Sequence, residues 1–226
     1  MSGKHLLALV GSPRPTSTSE NLARYLADGL AARGWQTDIQ RITPVIQKPE
    51  RWSTLEAQFL AADVIILCFP LYVDSLPAET TLALERLALA RQAQPSRQPQ
   101  RFLVVCNCGF FEASQNDVAL AICRQFAKEA GLNWSGGLAI GAGGALGGRP
   151  LKELGGMARH IIASFDMVID ALHNDVDVPA EALTLVRQKA FPDWLYFLLA
   201  NFGMYKGALD HGVLTKINAQ PYLQRK

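Results

Sequence analysis

The sequence has no cysteine pair at metal-binding spacing, no surplus of charge of one sign and no apolar run long enough to cross a bilayer. Each of these absences removes a class of protein. The four cysteines, Cys68, Cys106, Cys108 and Cys123, never form a CxxC pair, so neither a disulfide framework nor a structural zinc site is expected. The closest pair, Cys106 and Cys108, is two residues apart, and alternate residues of a strand face opposite ways, which argues against a shared metal. A net charge of +2, with the basic residues dispersed, gives no nucleic-acid face. Lys4 is followed by only a short apolar run that ends in Gly11-Ser12-Pro13-Arg14, too short for a secretory core, and a cytoplasmic protein with no integral membrane segment is expected. The histidines His5, His160, His173 and His211 are scattered, none near a serine or cysteine in a nucleophile motif, so hydrolysis has no support. Gly141 to Leu146 follows a strand-like run, but Leu146 replaces the closing glycine of a dinucleotide fingerprint, and no acidic residue ends a following strand.

What remains is an ordinary globular composition, 49% hydrophobic and 19% charged over 226 residues, enough for one domain or one domain with an appendage. Residues 4 to 21 organise it. Leu6 to Val10 is continuously apolar, as a strand covered on both faces must be, and Gly11 breaks it. Ser12, Arg14, Thr16, Ser17, Thr18 and Ser19 follow within eight positions and open a helix. One capping residue satisfies a helix start, whereas five hydroxyls and an arginine beside unpaired backbone N–H groups make a phosphate-sized anion site.

Apolar spacing from Glu20 to Arg33, stopped by Gly34, predicts the first crossover helix, and residues 36 to 42 a short second strand. Pro44 and Pro49 mark a loop, with a brief helix around Leu55 and Phe59. Val64 to Phe69 is the strongest strand and therefore central. A helix to about Arg91 follows, then a solvated connection over 92 to 100 and a fourth strand, Phe102 to Cys106. Asn116 or Asp117 caps a helix that Gly131 stops, 133 to 140 is a fifth strand, and the glycine-rich 141 to 148 leads into a helix from about Leu151 to Leu172. This alternation predicts a three-layer α/β sheet whose ligand lies at the carboxyl ends of the strands. The loop Pro70-Leu71-Tyr72-Val73-Asp74 suits a flat ring, and Pro70 argues that it does not continue a central strand. Asn107, Gly109 and Phe110 supply a third, weaker loop.

Gly11-Ser12-Pro13-Arg14 with Ser17-Thr18-Ser19, the Pro70 to Pro77 loop and the glycine-rich segment before Pro150-Leu151 together resemble the flavodoxin-like NAD(P)H-dependent FMN reductase family over about residues 4 to 172. The resemblance implies a five-stranded parallel sheet in order 2-1-3-4-5, non-covalent FMN, NADPH or NADH as transient donor, a small-molecule electron acceptor and a homodimer. By position, Ser12, Arg14, Ser17, Thr18 and Ser19 would hold the FMN phosphate. Pro70, Leu71, Tyr72, Val73 and Asp74 would line the ring, and Asn107, Gly109 and Phe110 would close its other side. Residues 43 to 62 contain no cysteine, so the iron–sulfur segment of some relatives is not expected. No side chain is assigned an obligatory acid or base role, and no metal site. The alternatives are a flavodoxin-like electron carrier or flavin-binding module that never meets a nicotinamide, and a protein keeping the fold without flavin. Residues 1–175 are expected to form the flavin-binding domain and 176–226 a helical extension. Its apolar stretch, 190 to 205, reads as a helix packed on the domain or a dimer partner, with a membrane-surface helix or a flavin lid as alternatives.

Overall fold

The apolar runs become parallel strands: β1 (His5–Val10), β2 (Gln36–Arg41), β3 (Val64–Pro70), β4 (Arg101–Asn107) and β5 (Asn133–Ile140). They form one sheet in the expected order β2-β1-β3-β4-β5. The structure is a computed structural model and describes residues 3–95, 99–189 and 192–220.

Alternation along the central strands sends side chains to two separate cores. Leu6, Ala8 and Val10 of β1, with Val64, Ile66 and Cys68 of β3, face one layer that holds α1 (Thr18–Ala31) and α7 (Arg159–His173). Leu7 and Leu9, with Ile65, Leu67 and Phe69, face the other. That second layer is built from α2 (Ile42–Ile46), α3 (Pro49–Ala61), α4 (Ala78–Ala93) and α5 (Asp117–Glu129). The amino ends of the strands are tied at Asp63. Its Oδ2 accepts from His5 N at 2.7 Å, its N–H donates to His5 O at 2.9 Å, and its carbonyl accepts from Arg101 N at 3.0 Å.

Several segments depart from expectation. The loop marked by Pro44 and Pro49 is helical: Pro49 begins α3 and Pro44 lies in the first turn of α2, where a missing N–H costs nothing. Gln100 is buried rather than part of a solvated connection, and its Nε2 donates to Phe59 O at 2.9 Å and also to Ala62 O. Residues 96–98 of that connection lie outside the described residues. Asn116 sits at the start of α5 without capping it, because its amide bonds Cys106 Sγ, Cys108 Sγ and Ala113 O. Those two sulfurs therefore meet one partner. The opposite-faces argument fails because β4 ends at Asn107, before Cys108. The helix expected from Leu151 begins as 3-10 turns, Leu151–Ala158, with a left-handed Gly155 (φ 53°), and becomes α-helical only in α7.

Chain contacts define two units, Met1–Ala190 and Phe191–Lys226. In the first, α6 (Gly143–Leu146) precedes the 3-10 turns, and α8 (Ala180–Leu185) packs on α7, where Ser164 Oγ donates to Ala182 O at 2.8 Å. Among the described residues the second holds α9 (Asp193–Asp210) and a 3-10 turn, Leu214–Lys216, with Trp194, Phe197, Phe202 and Met204 exposed. Of the apolar stretch 190 to 205, Ala190 and Phe191 lie outside the described residues. Among the described residues no helix is long and apolar enough to cross a membrane.

Candidate active site

β1 leaves the sheet at Gly11, and only glycine fits there. A Cβ at this position would stand 2.4 Å from Thr80 Oγ1 and 2.9 Å from Phe69 Cβ. The close approach lets Thr80 Oγ1 donate to Gly11 O at 3.0 Å while Gly11 N donates to Cys68 O at 2.9 Å, which fixes where the following loop begins. The loop ends at Ser17, the N-cap of α1, whose Oγ accepts from Glu20 N at 3.2 Å. Helix α1 thus starts one residue before Ser19, and Thr18 and Ser19 present the first two orphan N–H groups.

The hydroxyls of this loop are not equivalent. Ser12 Oγ accepts from Arg14 N at 3.3 Å, and Ser19 Oγ accepts from Asn107 Nδ2 at 2.8 Å. With Ser17 Oγ, three serine oxygens act as acceptors within the protein, which leaves each hydroxyl hydrogen to donate elsewhere. Thr18 differs: its Oγ1 donates to Gly143 O and accepts from Gly148 N, both at 3.3 Å. Its hydroxyl fastens the glycine-rich segment to α1, helped by Asn21 Nδ2, which donates to Gly148 O. Arg14 lies at the exposed rim, and its carbonyl accepts from Arg41 Nη2 at 2.9 Å.

These groups border a cleft of about 420 Å³ at the carboxyl ends of the strands. Of the residues singled out in the sequence, Ser12, Arg14, Ser17, Thr18 and Ser19 form one side, Pro70, Leu71 and Tyr72 another, and Asn107 and Gly109 a third. Val73, Asp74 and Phe110 are not in its lining. Val73 and Asp74 form the tip of a tight turn in which Tyr72 N donates to Ser75 O (2.9 Å) and Ser75 N to Tyr72 O (3.0 Å). Both tip residues have positive φ, 48° and 56°, and Val73 is 98% exposed. A left-handed valine is strained, since its branched Cβ crowds the backbone. Phe110 is also exposed, while its carbonyl accepts from Ala142 N.

The cleft also takes in Thr16, Gly143, Gly144, Gly147 and Gly148. Glycines 147 and 148 have φ of 59° and 65°, so this wall is bare backbone in a conformation that glycine adopts at little cost. The signal in the sequence was glycine density after a strand, which the failed dinucleotide pattern obscured. A larger groove, about 1020 Å³, lies at the amino ends of β1 and β2 beside His5, Asp38 and Asp63. His5 is spent on the two carboxylates, its Nε2 standing 2.8 Å from Asp38 Oδ2 and its N–H donating to Asp63 Oδ2, and parallel sheets bind ligands at the other end.

No thiolate serves the cleft. Burial pushes the Cys68 and Cys106 thiols well up, raises Cys123 to about 12 and raises Cys108. A protonated, enclosed thiol is a poor nucleophile. Among the described residues no group of three or more His, Cys, Asp or Glu side chains is placed to hold a metal ion.

Residues 5–109 match the NADPH-dependent FMN reductase family. The matched span runs from β1 just past the end of β4 and so includes the hydroxyl loop, the Pro70 loop and Asn107. No curated protein matches the chain by sequence. Solved structures share the fold. An NAD(P)H:quinone oxidoreductase from Methanothermobacter marburgensis is 14% identical, with 75% of this chain and 96% of that one covered and a TM-score of 0.57. An FMN-dependent NADH-azoreductase from Bacillus anthracis, solved in complex with FMN, is 12% identical over 76% of this chain and 100% of its own, with a TM-score of 0.55. A flavodoxin from Streptococcus pneumoniae is 19% identical over 76% of this chain and 99% of its own, with a TM-score of 0.52. At these identities the likeness establishes a flavodoxin-like fold.

Proposed function

We propose that the protein is an FMN-dependent NAD(P)H oxidoreductase that passes electrons from reduced nicotinamide to a small-molecule acceptor. The observation that carries this reading is the set of unspent donors at the foot of α1. Ser12, Ser17 and Ser19 each accept one internal hydrogen bond and retain a hydrogen. Beside them stand the first N–H groups of α1 and the exposed Arg14. Charge-assisted donors of this kind suit one terminal phosphate. Above them Pro70, Leu71 and Tyr72 face Asn107, Gly109 and the glycine wall across a cleft whose size is ordinary for a cofactor.

The residues present fit FMN in chemistry as well as in placement. A cradle of bare backbone at Gly143, Gly144, Gly147 and Gly148 lets a planar ring approach closely, and Pro70 and Leu71 supply an apolar edge. When bound, FMN supplies hydride acceptance from the nicotinamide and electron transfer onward. The chain's share is to hold the phosphate, orient the ring and exclude water, and no side chain is required as an acid or base. In this reading the working form is cytoplasmic and, as the family resemblance implies, a homodimer, with residues 176–226 as an extension whose first part, α8, packs on α7 within the first unit.

The test is a titration of purified protein with FMN, followed by anaerobic NADH or NADPH. Flavin uptake and bleaching of its absorption are expected, and Arg14→Ala should weaken FMN binding about tenfold with an unchanged melting temperature. A protein that takes up no FMN overturns the reading. Bound flavin that stays oxidised with both nicotinamides would leave an electron carrier instead.

A further inference from the structure

We infer that Asn107 is a positioning residue that acts through Ser19, turning the Ser19 hydroxyl into a donor toward the ligand's phosphate, rather than a residue that closes the flavin ring. The inference rests on the function proposed above. Asn107 is the last residue of β4, with 5% of its surface exposed. Its Nδ2 lies 3.1 Å from Phe69 O and 2.8 Å from Ser19 Oγ.

A backbone carbonyl only accepts hydrogen bonds, so the Phe69 contact fixes which end of the amide faces β3. The same nitrogen therefore donates to Ser19, and Ser19 Oγ has to accept. Its own hydrogen is left to point away from Asn107. Both Nδ2 hydrogens are thereby used. The other end of the amide stands beside Gly143, where a Cβ would come within 2.8 Å of Asn107 Oδ1. With both Nδ2 hydrogens spent within the protein, the amide has no donor to offer a ring. What it controls is the direction of a buried hydroxyl at the mouth of α1, since Ser19 is 1% exposed.

A hydroxyl free to rotate would offer a phosphate either a lone pair or a hydrogen. One that accepts from behind has its hydrogen excluded from that side and kept among the two directions still open, so less reorganisation is needed to present it when the anion arrives. The effect belongs to the phosphate and not to the ring, which separates it from a general packing role.

The experiment compares FMN with riboflavin, which lacks the phosphate, in fluorescence titrations of the wild type, Ser19→Ala, Asn107→Ala and the double variant. Each single change is expected to weaken FMN about tenfold and riboflavin less than twofold. The double variant should be no weaker for FMN than Ser19→Ala alone, because Asn107 has nothing left to orient. Equal losses for both flavins, additive losses in the double variant, or an unchanged FMN-to-riboflavin ratio in Ser19→Ala each overturn the inference. Should Asn107→Ala fail to fold, Asn107→Leu keeps most of the buried volume and carries the same expectation, and the Ser19→Ala ratio decides without either. A wild type that binds neither flavin defeats the proposed function instead.

Discussion

Thr18 shows how far residue type alone can mislead. In the sequence it is one of five hydroxyls around Arg14 and is indistinguishable from its neighbours. In the structure its oxygen is occupied on both sides by Gly143 O and Gly148 N, and it works as a latch on the glycine wall. Thr18→Val keeps the shape and removes both bonds. We expect a loss of about 1–2 kcal/mol in stability, a fall in melting temperature of roughly 2–6 °C, and an FMN-to-riboflavin affinity ratio within twofold of wild type. Thermal melts and flavin titrations measure both. A phosphate-selective loss of affinity would return Thr18 to the anion site. Which serines keep a free hydrogen was not legible in the sequence, because it depends on Asn107, 88 positions further along the chain from Ser19.

Whole elements were more legible than their ends. β1, β3 and β4 announce themselves as unbroken apolar runs because both faces of a parallel sheet are covered, and βα alternation makes the sheet parallel, while its strand order was legible only through the family resemblance. The two prolines hid α2 and the start of α3, since proline punctuates loops and first helical turns alike. Val73, Asp74 and Phe110 were grouped with the ring-lining residues by their place in a loop, yet loops lack the fixed period that tells which way a side chain points. The junction of β1 with α4 carries the sharpest geometric demand. Gly11→Ala drives a methyl into Thr80 and Phe69, and we expect a destabilisation of about 1–3 kcal/mol by denaturant titration, with weaker FMN binding because the serine loop starts from this point. Full stability in Gly11→Ala would show that Thr80 yields at no cost.

At the scale of the molecule, the two cores on either side of the sheet enclose the four cysteines so completely that none is more than slightly exposed. Burial raises their thiol pKa values, so below the ordinary thiol range they stay protonated, and their contribution to stability is present there and declines as pH rises above that range. Native protein at neutral pH should therefore give no fast reaction with a chromogenic disulfide reagent, and four thiols should appear after denaturation. A rapidly labelled thiol in the native state would mean that the layer over Cys108 opens. The knot at Asp63 has a further consequence. It joins the starts of β1 and β4 through backbone atoms and one carboxylate, and at the opposite end backbone bonds from Gly11 N to Cys68 O (2.9 Å), Leu71 N to Asn107 O (2.8 Å) and Cys108 N to Ile140 O (3.0 Å) carry the pairing past the strands, with Thr18 and Asn107 adding side-chain ties. The strands are thus fastened at both ends, and the gap between the serine loop and the Pro70 loop is set by backbone pairing before any guest arrives.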